Sequence, residues 1–248
     1  KGEESKQAEL PPVTFYVEGA NAWRRASSFE EGAYRWRLYL GEQGRMRPWQ
    51  QPSGSASYPY DPAQATPQVF EEDEYLVPAD YSEVEKRGDM LTFTSEPLRQ
   101  EVALVGGAQV VLYVSSSAPD TDFVARLTIV SSSGASRAVA SQIIRAKYHQ
   151  SIRRPALLEP EQVYRLELAL PWAARLLRQG DALRLQVCSA AKGDYFPNLN
   201  TGADPREDTG CAVACQTVHF GPQNASHVEV FLLDRGKIDM AQKENDHP

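Results

Sequence analysis

Hydrophobic and polar residues alternate along many short stretches of the chain, which is the pattern of β-strands with one buried face. The pattern is regular around Leu183, Leu185 and Val187, so we expect Leu185 to be buried at the centre of a strand. A turn at residues 131–134 separates two alternating stretches and predicts a β-hairpin. The full set of expected strands covers residues 13–17, 34–40, 91–95, 102–105, 109–114, 123–130, 138–145, 163–170, 183–187, 216–220 and 226–232.

Glycine and proline mark the expected breaks between these strands. Gly106 and Gly107 are expected to end a strand, and residues 172–178 are expected to form a short helix that Gly180 stops. Residues 45–87 contain six prolines and predict a long loop. Three aromatic residues of that loop are candidates for a ligand-binding or domain-interface surface: Trp49, Tyr58 and Tyr60.

Many short strands separated by turns predict an all-β fold, a jelly-roll β-sandwich (galactose-binding-like) of about ten strands with long Pro-rich loops. Residues 1–12 are polar and end in two prolines, so we interpret them as a linker. Residues 13–248 are then one sandwich domain. A chain of 248 residues is long enough to bury a sizeable core.

Composition narrows the function classes. The net charge of -7 argues against a nucleic-acid surface, which needs a basic stripe. No apolar run has the length of a membrane span, and residues 1–9 lack the apolar core of a signal peptide. Cytoplasmic and secreted locations both stay open. Three cysteines are too few for a disulfide framework; Cys188 falls on the polar face of its strand, and Cys211 and Cys215 are either free or bridged.

Candidate catalytic groups are few. The Gly-x-Ser-x-Gly nucleophile elbow of α/β-hydrolases is absent from the sequence. A hidden Ser-His-Asp set would use Ser226 or another serine with one of the four histidines, and it would lack an oxyanion turn. Structural or solvated histidines are the simpler interpretation of His149, His219, His227 and His247. We therefore predict no catalytic residue in this chain.

Acidic loop residues could form a calcium site, either at Asp120 and Asp122 or at Asp204 and Asp208. Aspartate also stabilises turns by accepting hydrogen bonds from backbone amides. We favour the turn interpretation, and we expect no metal and no cofactor.

Several phrases of the sequence, in this order, resemble one known family. They are Val-Glu-Gly-Ala-Asn-Ala-Trp-Arg at 17–24, Tyr-Pro-Tyr-Asp-Pro-Ala at 58–63, Ser-Ser-Ser-Ala-Pro-Asp-Thr-Asp-Phe-Val-Ala-Arg-Leu at 115–127, Ile-Ile-Arg-Ala-Lys-Tyr at 143–148, Phe-Pro-Asn-Leu-Asn-Thr-Gly at 196–202, His-Phe-Gly-Pro at 219–222 and Ser-His-Val at 226–228. Together they resemble the C-terminal domain of the cocaine esterase (CocE/NonD) and X-Pro dipeptidyl-peptidase family. Glu18 replaces the family's usual apolar residue, and Pro197 directly precedes Asn198 where the family has a longer spacing.

The resemblance implies a parent serine hydrolase with an α/β-hydrolase domain, a helical cap and a C-terminal jelly roll. The catalytic triad of that family lies upstream of the stretch seen here, and Lys1-Gly2 resembles the end of the hydrolase domain's last helix. The expected function is therefore a non-catalytic domain that packs on the hydrolase and cap domains and helps shape the active site. A homo-oligomer is left open.

Two other functions are left open by the sequence. One is a carbohydrate-binding β-sandwich module. The other is a free-standing enzyme with a cryptic site. Whether the parent cleaves an ester or an X-Pro amide is not encoded in this stretch.

Overall fold

The structure, a computed structural model, describes residues 13–69, 79–204 and 207–238. Nearly all regular structure in these ranges is β, which confirms the expected all-β class. The 13 described strands are β1 Val13–Val17, β2 Ala22–Ala26, β3 Tyr34–Gly41, β4 Arg45–Arg47, β5 Gly54–Tyr60, β6 Met90–Thr94, β7 Val102–Ser116, β8 Asp122–Val130, β9 Ser136–Arg145, β10 Tyr164–Leu177, β11 Ala182–Cys188, β12 Ala214–Phe220 and β13 His227–Asp234. Short 3-10 helices cover Glu42–Gly44, Pro62–Gln64, Val84–Lys86 and Ala146–Tyr148.

Strand β7 is the centre of the sandwich. One of its edges pairs with β10, and the other pairs first with β13 and then with β12. β5 and β3 extend this layer through β12 and β13. The second layer has the order β6-β11-β8-β9 and joins the first through β4, which pairs with β6 at Arg45 and Thr94. β9 lies beside β10, where Arg175 donates a hydrogen bond to the carbonyl oxygen of Ala138 at 3.0 Å.

The main core fills the space between these layers. Alternate residues of β7, such as Val110 and Leu112, face alternate residues of the opposite layer, such as Leu127 and Leu185. All four side chains are fully buried, so the predicted inward face of the β11 strand is confirmed. Burial of this apolar surface contributes about 25 cal/mol per Å² to folding.

A second, smaller core lies on the outer side of β7 and β13. The β1–β2 hairpin forms a separate two-stranded sheet and buries Phe15 and Val17 against Val105 and Leu233. Because side chains of a strand alternate between faces, β7 serves both cores along the same stretch. This explains why hydrophobic residues of β7 are consecutive at 102–105 and 110–114 rather than falling at every second position.

The outer face of β8 is also covered. Arg126 is buried, and its guanidinium donates hydrogen bonds to Gln186 Oε1 at 3.0 Å and to Gln68 Oε1 at 2.8 Å. The same guanidinium lies 3.9 Å from the ring centre of Tyr81. Residues that the sequence places on a polar face therefore form a second buried layer beneath the loops that follow β5.

Three local predictions are wrong. Gly106 and Gly107 do not end a strand, because β7 runs continuously through them. Residues 172–178 form no helix; most of them belong to β10, which continues past a bulge between Leu170 and Ala173. The expected loop at residues 45–87 contains β4 and β5. β5 tolerates Pro59 because, among the described strands, β12 is its one partner, and proline fits at a sheet edge.

The expected linker at residues 1–12 lies outside the described residues and stays a prediction, as does the single domain at 13–248. Within the described ranges, no helix has the length and apolarity to cross a membrane.

Candidate functional site

One end of the sandwich carries the chain's candidate site. β5, β7, β9 and β11 end there, and β8, β10 and β12 begin there. The connections at 117–121, 146–163 and 189–213 therefore meet at this end, which we call the loop end. Residues 205 and 206 of the last connection lie outside the described ranges.

An ion pair forms the floor of the loop end. The β8–β9 hairpin sets a register that places Asp122 directly opposite Arg145. The Arg145 guanidinium donates two hydrogen bonds to the Asp122 carboxylate, at 2.9 and 3.1 Å. The side chain of Asp122 is 4% exposed, so this bidentate pair is largely removed from water on its acidic side.

Asn198 ties the long β11–β12 connection to that floor. Its Nδ2 donates to Asp122 Oδ1 at 2.9 Å and to Asp120 Oδ2 at 3.2 Å. Its Oδ1 accepts from the backbone amide of Asn200 at 2.9 Å, and its carbonyl oxygen accepts from the Tyr60 hydroxyl at 3.0 Å. These bonds hold Asn198 and the backbone at Asn200 against the floor.

Asp120 fastens the neighbouring connection in the same way. One of its oxygens accepts a hydrogen bond from the Lys147 backbone amide at 3.0 Å, and the Lys147 ammonium lies 3.5 Å from the other. Asp120 and Asp122 thus join separate loops rather than closing their own turn. Burial raises the pKa of Asp122, and the hydrogen bonds from Arg145 and Asn198 oppose that rise.

Above this floor lies a cleft of about 390 Å³. Its walls are mostly apolar and include Ile143, Tyr148, Tyr195, Phe196 and Leu199. Phe196 is 94% exposed and Tyr195 is 48% exposed. The loop end therefore combines a fixed, charge-paired floor with an aromatic rim.

No group of three or more His, Cys, Asp or Glu side chains that could hold a metal comes together in the described part of the chain. The second acidic pair is also engaged locally, since Asp208 accepts hydrogen bonds from Thr201 and from the Gly210 amide. The expectation of no metal and no cofactor stays a prediction.

The expected aromatic surface is wrong for two of its three residues. Tyr58 and Tyr60 are fully buried on β5, where Tyr58 shares a hydrogen bond with Ser189. Trp49 is 62% exposed, but it lies in the connection before β5, at the opposite end of that strand from Tyr60. Pro59 makes the sequence Tyr-Pro-Tyr predict a loop, whereas it belongs to an edge strand in which both tyrosines point inward.

Serine and histidine do meet in the structure, but not in a catalytic arrangement. Ser226 donates to the carbonyl oxygen of His219 at 2.6 Å and accepts from the Tyr113 amide, so its hydroxyl serves the backbone. His219 Nε2 lies 2.9 Å from Ser115 Oγ, a pair that sequence spacing did not suggest. Ser115 is buried within β7, so a substrate cannot reach its hydroxyl. His247 lies outside the described residues.

The cysteines are free thiols. Cys211 and Cys215 are exposed at the loop end, so the open question of a bridge between them resolves to free thiols in this structure. Cys188 lies on the face of Arg184 and Gln186, as expected, but it is fully buried because loops cover the outer side of this layer.

His219 in β12 and His227 in β13 are expected to make the free energy of unfolding depend on pH. Burial lowers the pKa of both His219 and His227. The folded chain therefore resists their protonation, and the free energy of unfolding should fall as pH drops below the histidines' ordinary pKa of about 6.5. Urea unfolding at pH 7.5 and 5.5 should show the loss, and a His219→Gln, His227→Gln variant should show a smaller one. Equal losses in both proteins would contradict the assignment.

Comparison with known proteins identifies the sandwich. The family model described as the X-Pro dipeptidyl-peptidase C-terminal non-catalytic domain matches residues 6–229. The chain belongs to this family. It is therefore a non-catalytic C-terminal domain of the kind found in CocE/NonD-like hydrolases.

Relatives of this X-Pro dipeptidyl-peptidase C-terminal domain are parts of larger proteins. Cocaine esterase from Rhodococcus sp. (strain MB1 Bresler) is 29% identical over 95% of this chain and 44% of that protein. An α-amino acid ester hydrolase structure matches 93% of this chain and 42% of that chain, with 26% identity and a TM-score of 0.82. An aminopeptidase from a marine sediment Thaumarchaeota archaeon shares the fold, with a TM-score of 0.82 at 24% identity over 91% of this chain and 41% of that chain. The chain thus spans less than half the length of these relatives.

Proposed function

We propose that this domain is the structural C-terminal part of a larger serine hydrolase, packing on the hydrolase and cap domains and helping to shape the active site. The observation that carries the proposal is coverage: nearly the whole chain matches less than half of a cocaine esterase. The parent reaction is cleavage of an ester or an X-Pro amide through an acyl-enzyme. The nucleophile of that reaction belongs to the hydrolase domain.

The loop end is less suited to the carbohydrate-binding alternative. Sugar recognition needs polar groups that are free to bond hydroxyls, alongside an aromatic platform. The oxygens of Asp120 and Asp122 are engaged by Arg145, Lys147 and Asn198. A glycan array with the isolated chain tests this alternative directly, and selective binding there would favour it.

The isolated chain should hydrolyse neither p-nitrophenyl esters nor X-Pro anilides. Ser226 bonds to the backbone and Ser115 is buried, so neither is available as a nucleophile. The measurement is initial rate at high enzyme concentration. A turnover that disappears in Ser115→Ala or Ser226→Ala would contradict the proposal.

The proposal is tested in the longer polypeptide that contains this domain, compared with a version lacking residues 13–238. We expect deletion to lower kcat/KM for ester or X-Pro substrates at least tenfold, because the active site loses one wall. Unchanged kcat/KM and unchanged thermal stability after deletion would overturn the structural role.

A further inference from the structure

The loop end exposes apolar side chains from more than one connection. Phe196 and Tyr195 come from the β11–β12 connection, and Leu157, 52% exposed, comes from the β9–β10 connection. Leu157 and Tyr148 line a second cleft that shares Arg145 and Tyr148 with the first. Tyr148, Leu157, Tyr195 and Phe196 therefore form one continuous surface, which we call the loop-end surface.

We infer that the loop-end surface is the face that docks on the hydrolase portion of the same polypeptide. This inference rests on the proposed function and adds the place of contact. A nearly fully exposed phenylalanine beside a cleft marks an interaction site, since soluble proteins rarely leave contiguous apolar surface uncovered. Aromatic anchors of this kind carry most of the energy of protein interfaces.

Hydrogen bonds within the domain preorganise the connection that carries Tyr195 and Phe196. Asn198, two residues from Phe196, is fixed by both aspartates and by Tyr60. Further along the same connection, the Ala212 amide bonds to the Leu199 carbonyl at 3.0 Å and Asn200 Nδ2 bonds to the Ala212 carbonyl at 2.7 Å. A loop that is already ordered loses little conformational entropy on binding, so more of the contact energy remains as affinity.

The charged side chains of the floor are already paired with opposite charges before any partner covers them. Arg145 is paired with Asp122, and Lys147 lies against Asp120. These two carboxylates and two cations balance, and Asp208, which also lines the cleft, accepts hydrogen bonds from Thr201 and from the Gly210 amide. Covering an unpaired charge would cost several kcal/mol and would oppose docking.

The occupant follows from the comparisons. In the relatives, 41–44% of the protein corresponds to this domain, so more than half of each lies outside it. A body of that size, joined to the domain in one polypeptide as it is in these relatives, is the partner that the comparisons favour. Intramolecular contact also benefits from a high effective concentration.

Other exposed aromatics make weaker candidates for the contact. Tyr16 and Trp23 pack on each other with ring centres 5.4 Å apart, and Trp172 packs edge-on against Phe29 at 4.6 Å. Phe196 contacts no aromatic ring within the described residues. Trp49, which precedes β5 at the opposite end of that strand from Tyr60, serves as the matched control.

The experiment compares amide hydrogen exchange in the isolated chain and in the intact longer polypeptide. We expect residues 193–203 to exchange at least tenfold more slowly in the intact polypeptide, while residues 48–53 exchange equally in both. Phe196→Asp should abolish that protection and lower kcat/KM about tenfold, and Trp49→Asp should change neither. Because both side chains are exposed, the isolated Phe196→Asp and Trp49→Asp domains should have the melting temperature of the wild type. If Phe196→Asp melts at a lower temperature, Phe196→Ser is used in its place.

The outcomes separate the two proposals. Protection at 48–53 in place of 193–203 would overturn the docking surface while leaving the structural role intact. No protection at either place, together with full activity after deletion of the domain, would overturn both. Protection of 193–203 that appears in the isolated chain as its concentration rises would make a second copy the occupant and overturn the inference.

Discussion

Replacing Leu185 with aspartate is expected to unfold the domain. Leu185 is fully buried in the main core, between Phe93 of β6 and Leu127 of β8 in the sheet. The described residues of the core around it are hydrophobic, so burying an unpaired carboxylate there costs several kcal/mol in addition to the lost apolar contact. That sum is comparable with the whole stability of a typical domain, about 5–15 kcal/mol.

The measurement is circular dichroism and thermal melting of the purified variant. Ala169→Asp is the matched control, because Ala169 lies on the exposed face of β10 and receives the same new charge. We expect Ala169→Asp to melt within a few degrees of the wild type. A Leu185→Asp protein with the wild-type melting temperature would mean that the inward face of β11 is assigned wrongly.

Asp122→Ala is expected to lower the free energy of unfolding by about 2–4 kcal/mol at pH 7. Removing one partner of a buried ion pair costs about 3–5 kcal/mol. The loss should be somewhat smaller here because the Arg145 side chain is 25% exposed and can recover some hydration. Asn198 also loses one of its two carboxylate acceptors, which loosens the β11–β12 connection.

Urea unfolding with calcium and with a chelator tests the origin of this effect. The loss should be the same in both buffers, since the partners of Asp122 are protein groups. Asp194→Ala, an exposed carboxylate of the same connection, should change stability by less than about 0.5 kcal/mol. A chelator that destabilises the wild type but not Asp122→Ala would show that the loop binds calcium.

The sequence predicts best those strands in which hydrophobic and polar residues alternate, so that one face is hydrophobic. Leu183, Leu185 and Val187 alternate without interruption, and the β8–β9 turn is short, so both were assigned correctly. β7 was divided in two because glycine usually weakens a strand. Here Gly106 takes φ of 81°, and the glycine pair lies opposite the β10 bulge, where Trp172 lies against Gly107. The glycines accommodate a bulge on the neighbouring strand, which sequence cannot locate.

The candidate site was visible only in part. Asp120 and Asp122 stood out as loop carboxylates, but their partners lie far away in the sequence. Arg145 is 23 residues from Asp122, and Asn198 is 76 residues from it. The register of the β8–β9 hairpin places Arg145 beside Asp122, and folding of the whole sandwich places Asn198 there. Phe196 stands out in the sequence only as part of a phrase that resembles the family, and its exposure is a property of the folded chain.

The central place of β7 has a consequence for how the protein is made. Its hydrogen-bonded partners β10, β12 and β13 all follow it in the sequence, and β3 pairs with β4 and with the last described strand, β13. During synthesis from the N-terminus, the β10 edge of β7 therefore stays open until Leu177 has been added. The other edge stays open until β13, which begins more than a hundred residues after Ser116. The unpaired backbone N–H and C=O groups of an open strand edge can pair with strands of other chains, which leads to aggregation. The nascent chain must be kept from aggregating until His227–Asp234 leaves the ribosome and closes the first layer.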